Sequence, residues 1–167
     1  WMLSMSAGFK AGFALVIRPD GFEKHGRIEE MLKLVKLWEK ASMNDVFTED
    51  QCEKLRDPET DWHLEEFEDD KYKLCPVEIS KPYVCDGDEL MPGQPGGADW
   101  TFTNNYQKQP LSFRLYVSDL YGDDGYIENP SFIAGDQNLI FDHKINDGQY
   151  LQYVDNKGIL YDKNWNK

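Results

Sequence analysis

An α+β fold is predicted for this chain: a helical N-terminal portion packed on a mainly antiparallel β-sheet that ends in a C-terminal meander. Three observations predict it. Apolar residues recur at helical spacing between Arg27 and Met43. Beyond Leu74 the pattern changes to short alternating runs separated by Gly, Pro, Asn and Asp. Between the two lies an acidic stretch, Asp57 to Asp70, where the helical and β portions meet. With 167 residues, 40% of them hydrophobic and 14% aromatic, the chain can bury a core without disulfides or metals. One domain over 1–167 is expected, helix-rich over 1–70 and β-rich over 74–167.

The elements follow in order. Phe9, Ala11, Phe13, Leu15 and Ile17 alternate, which predicts a strand ended by the turn Arg18-Pro19-Asp20-Gly21. Ile28, Met31, Leu32, Val35 and Trp38, widened by Leu34 and Leu37, form the apolar face of a helix. Thr48 and Gln51 have the spacing of a capping box and start a short helix at Glu49. Pro58 suits the first turn of a third helix, Glu59 to Asp69, whose acids would favour the positive end of its dipole. Leu90 to Ala98, rich in Pro and Gly, reads as a loop, as does Tyr121 to Tyr126. Strands are expected near Asp99–Thr103, Leu111–Ser118, Leu139–Ile145, Gln149–Val154 and Ile159–Asp162. Asn146-Asp147-Gly148 and Asp155-Asn156-Lys157-Gly158 read as hairpin loops between the last three.

Charge is the most informative bulk property. The net charge is −13, and residues 45–90 hold sixteen acidic and five basic side chains. A field of this sign repels phosphate backbones and anionic lipid, so direct nucleic-acid binding is disfavoured and a basic protein partner is favoured. The longest apolar stretch, Trp1 to Ile17, is interrupted by Lys10 and falls short of the ~20 apolar residues of a membrane span. Cys52, Cys75 and Cys85 are too few for a disulfide scaffold or a zinc site, although Cys75 and Cys85 would pair in an oxidising compartment. Their odd number, with no visible signal peptide, leans towards the cytoplasm.

Catalytic motifs are missing from the sequence. There is no nucleophile elbow, P-loop or Rossmann spacing, and a Cys85–His143 pairing has no sequence context that would activate it. His143 alternates with Leu139, Phe141 and Ile145 and reads as a buried or cross-strand residue. Asp86-Gly-Asp88-Glu89 and Asp123-Asp124-Gly125 lack the ligand pattern of a twelve-residue calcium loop. On a helix, Glu59, His63 and Glu66 would share one face and are the only metal candidates, weakened by the lack of a second His at helical spacing.

These readings favour an acidic, non-catalytic protein-binding module, most concretely an inhibitor or immunity protein that neutralises a basic toxin or enzyme. Its contact acids are expected to be Asp61, Glu65, Glu66, Glu68, Asp69 and Asp70. Its aromatic anchors are expected to be Trp62, Phe67 and Tyr72. One alternative is a β-rich structural or carbohydrate-binding component of a larger assembly, a virion or secretion particle, using Tyr150, Tyr153, Tyr161 and Trp165. The other is a metal-dependent hydrolase built on Glu59, His63 and Glu66. No cofactor is implied, and a small-molecule substrate is left open.

Overall fold

The computed structural model describes residues 1–85, 96–118, 125–154 and 156–167. Four helices lie N-terminal to antiparallel strands, an α+β arrangement. The chain divides into two compact units, one formed by Trp1–Ala14 and Val35–Lys108, the other by Leu15–Leu34 and Gln109–Lys167. The division falls inside the longest helix. The candidate calcium residues Asp86, Asp88, Glu89, Asp123 and Asp124 lie outside the described residues, as does most of the loop Leu90 to Ala98.

The first unit begins with α1 (Met2–Gly8), where a strand was expected to start just beyond, at Phe9. The alternation from Phe9 to Ile17 finds no ladder: residues 11–18 are irregular, and Phe9 is exposed. Alternation alone does not make a strand, because a strand needs a partner for its N–H and C=O groups. The small residues Ala7 and Gly8 are buried, and a Cβ at Gly8 would meet the Cys52 carbonyl oxygen at 2.9 Å, so α1 approaches its neighbour closely. That neighbour is α4 (Glu49–Leu55), which starts at the capping box read from Thr48 and Gln51: the Thr48 hydroxyl accepts from the Gln51 amide, and Gln51 Oε1 accepts from the Thr48 amide.

Before α4 come α2 (Gly21–Lys24) and α3 (Ile28–Met43). Trp38 and Ala41 of α3 are buried, whereas Met31 and Leu34 of the predicted apolar face are open. The core of the first unit gathers Ala7, Trp38, Ala41, Phe47, Cys52, Leu55 and Leu64. The expected third helix, Glu59 to Asp69, does not form. Instead β1 (Asp61–Glu68) pairs antiparallel with β2 (Lys71–Val77). Leu64 sits opposite Leu74 and Trp62 opposite Pro76, so the alternate residues bury one face, an arrangement a helix of the same sequence could not reproduce. Asp99–Thr103 is exposed irregular chain, not a strand. All three cysteines are free thiols, so Cys75 and Cys85 do not pair.

The second unit holds the remaining strands: β3 (Phe113–Tyr116), β4 (Tyr126–Glu128), β5 (Ser131–Ala134), β6 (Gln137–Ile140), β7 (Lys144–Asn146), β8 (Tyr150–Val154) and β9 (Lys157–Tyr161). The run read as one strand, Leu139–Ile145, is interrupted at residues 141–143 and serves two pairs, β5–β6 and β4–β7. β8 and β9 form the expected hairpin, and β3 joins the other side of β8. Asn146-Asp147-Gly148 therefore connects strands of different sheets, with Gly148 at φ 76° donating its amide to the Val117 carbonyl. Phe113, Leu151 and Tyr153 face a core shared with Phe132, Phe141 and Ile145. At Gly158 an added Cβ would lie 2.6 Å from the Phe141 ring, so only glycine lets that ring reach β9. His143 is half-buried and meets the Phe141 ring edge-on. Among the described residues, no helix is long and apolar enough to cross a membrane.

Candidate functional site

The acidic stretch becomes a hairpin tip. Strand alternation turns Trp62, Leu64 and Glu66 to one side of β1 and His63 and Glu65 to the other. On the packed side Leu64 is fully buried, and Trp62 and Tyr72 rest half-buried against the unit's core, so they are not open anchors. The Trp62 Nε1 and Tyr72 Oη atoms are buried without a partner. The register slips between Glu66 and Glu68, which leaves Phe67 unpaired in a β-bulge. Its ring stands 57% exposed. Glu68 then faces Lys71 across the loop Asp69-Asp70, where Asp70 adopts φ 56°, a left-handed conformation that Asp tolerates better than most residues.

This geometry separates the metal candidates. Glu59 lies before the strand, His63 points to the open side, and Glu66 points to the packed side. A different trio comes together, Glu66, Asp69 and Asp70, with carboxylate oxygens within 4.8 Å of one another. It already has a cation. Lys40 Nζ of α3 lies 2.7 Å from Glu66 Oε1, 3.0 Å from Asp70 Oδ1 and 3.7 Å from Asp69 Oδ1. Its hydrogen bonds to Glu66 and Asp70 hold the ammonium pKa well above the ordinary lysine value. The Lys40 ammonium, and next the Asp70 amide, in turn hold the Glu66 carboxyl below its ordinary range. Lys40 therefore fixes the tip of the hairpin to α3.

The other acids of the hairpin are partly offset by cations of their own. Glu68 pairs with Lys71, Glu65 stands opposite Lys73, and Asp61 receives the N-terminal ammonium of Trp1 at 3.3 Å. Across residues 61–77 there are six acidic and two basic side chains, so the hairpin stays negative even after Lys40 is counted. Of the predicted contact residues, Glu65, Phe67, Glu68, Asp69 and Asp70 gather on the open surface, whereas Trp62, Tyr72 and, in large part, Glu66 do not. Lys40 was not foreseen, because nothing in a single sequence links position 40 to position 66.

The C-terminal aromatics separate in the same way. Tyr153 belongs to the core of the second unit, whereas Tyr150 stacks between Tyr116 and Trp165, with ring centroids 4.5 and 4.6 Å away. Tyr161 is buried beneath Trp165. No known family, curated protein or solved structure matches this chain.

Proposed function

We propose that the chain is an acidic, non-catalytic protein-binding module whose contact surface is the β1–β2 hairpin, in the manner of an inhibitor or immunity protein that covers a basic surface. The observation that carries the reading is Phe67, an exposed ring held out by a β-bulge and flanked by Glu65, Glu68 and Asp69. An apolar anchor ringed by carboxylates suits a partner pocket lined with Lys and Arg: charge speeds the encounter, and burial of the ring sets the lifetime. Lys40 supports it by immobilising the tip, which lowers the ordering cost of binding.

The test is capture from lysate on immobilised protein at low and high salt, with wild type and Phe67→Ser compared. Basic proteins retained by wild type at low salt, released by high salt and weakly held by the variant support the reading. Retention of the same set by both proteins, or of nothing at low salt, sinks it.

The Tyr116–Tyr150–Trp165 stack favours a second reading, carbohydrate binding by a component of a larger assembly, because Tyr116 is 51% exposed and sugars stack on such rings. A glycan array probed with wild type and Tyr116→Ser separates it from the first.

A further inference from the structure

The outer face of the β3–β8–β9 sheet holds a concentration of positive charge that is unexpected in a chain of net charge −13. Arg114 and Tyr116 of β3, Gln152 and Tyr150 of β8 and Tyr161 of β9 share this face by register. Trp165 folds over it, and the guanidinium carbons of Arg114 and Arg27 lie 4.5 and 5.2 Å from its ring centroid.

The two arginines differ in how they are satisfied. Arg27 donates to Glu30 Oε2 and to Gln152 Oε1, each at 2.8 Å. Glu30 is also shared by Lys167, at 3.5 Å, and by the Tyr161 hydroxyl, at 3.3 Å. Burial works against its ionisation, but Arg27 and Lys167 together hold its carboxyl below the ordinary range. Arg114 has neither a carboxylate nor a hydrogen-bond acceptor among the described residues; its contact is the Trp165 ring. Glu30 is thus shared by two cationic side chains, Arg27 and Lys167, while Arg114 stands on the same face without a carboxylate among the described residues. The nearby Asp162 is engaged with the Asn164 and Asn166 amides and offset by Lys163. Partial burial, and then the charge of Arg27, already disfavour the cationic form of Arg114.

We propose that Arg114 is an oxyanion-binding residue, and that its ligand is a small phosphate or carboxylate carrying a ring that stacks on Tyr116. The guanidinium fork matches the paired oxygens of such groups. Tyr116 stands two residues along the same strand, about 7 Å away at the usual rise, and half of its surface is open. That separation suits an oxyanion joined to a ring through one or two bonds beyond the ring substituent. The site goes beyond the protein-binding reading and does not depend on it, since none of its residues belongs to the hairpin.

The test is a titration of the full chain labelled with 5-fluorotryptophan, with the Trp165 resonance assigned from Trp165→Phe. Adenosine monophosphate, glucose 6-phosphate, glucuronate, adenosine and inorganic phosphate are the probes. The proposal expects the ringed anions to move the Trp165 resonance saturably and to bind at least tenfold more tightly than adenosine; which of them binds best tells a nucleotide from a sugar anion. Arg114→Gln should weaken ringed anions at least tenfold, Arg114→Lys should restore part of the loss, and Tyr116→Ser should weaken ringed anions but not inorganic phosphate. Both positions are exposed, and unchanged far-UV circular dichroism with a cooperative thermal melt verifies that the variants fold. Equal binding by wild type and Arg114→Gln, equal binding of adenosine and its monophosphate, or no movement of Trp165 with any anion overturns it.

Discussion

Gly26→Ala should release the segment that carries Trp165. A Cβ built on Gly26 lies 1.8 Å from the Trp165 carbonyl oxygen and 2.7 Å from the Asn166 Cα, and backbone cannot yield as a flexible side chain can. The segment must therefore move, taking Trp165 off Tyr150 and Tyr161 and away from Arg27 and Arg114. Taking about 1 kcal/mol for the close stack, about 0.5 for the tilted pair and about 0.5 for each cation–π contact, the loss comes to roughly 2.5 kcal/mol. The Gly26 amide also loses the Asn164 carbonyl, a 3.4 Å contact of small value. Urea unfolding followed by near-UV circular dichroism should show a lower midpoint at unchanged slope. The fluorine resonance of labelled Trp165 should move towards that of the unfolded chain. Gly12→Ala is the control, since nothing lies within 4 Å of its Cβ position. An unchanged midpoint and an unchanged Trp165 resonance in Gly26→Ala would refute the packing argument.

Other outcomes follow from the same contacts. Leu64→Ala should cost about 2–5 kcal/mol, whereas Phe67→Ser should stay within about 0.5 kcal/mol of wild type, because one side chain is 2% exposed and the other 57%; equal losses would mean the hairpin faces are misassigned. Gly158→Ala should cost about 1–3 kcal/mol by pressing on the Phe141 ring, measured by the same unfolding assay. The folded pKa of Glu66 lies below its unfolded value, so its stabilisation is present above an unfolded pKa of about 4.3 and is lost as pH falls through the folded one. In Lys40→Met the carboxylates of Glu66, Asp69 and Asp70 repel one another without a counter-ion. The stability gap between this variant and wild type should therefore narrow as pH falls through and below about 4.3, where the carboxylates protonate; a gap that stays constant in thermal melts across that range would contradict the role given to Lys40.

Local rules made parts of this fold legible. The Ile28–Met43 helix and the Thr48–Gln51 box depend on residues three and four apart, and both stand as read. The acidic stretch misled because Pro58 and the surrounding acids imitate a helix start, while the period-two signal of Trp62, Leu64, Tyr72 and Leu74 becomes readable only once Asp69-Asp70 is taken as the turn. The outer limits of the Phe9–Ile17 alternation look like a strand, yet its ladder partner does not exist among the described residues. Side-chain placement was the least legible. Whether Trp62 anchors a partner or a core depends on which face the pleat turns inward, and the contact of Arg114 is the ring of Trp165, which no local pattern links to it.

Under the proposed function, the hairpin meets a basic partner through charge and holds it through Phe67. Association and dissociation rates for the captured partner test this most directly. Glu65→Gln with Glu68→Gln should slow association and flatten its salt dependence at a nearly constant dissociation rate. Phe67→Ser should raise the dissociation rate at least about tenfold at an unchanged association rate. Rates that respond to neither change would contradict that role of the hairpin.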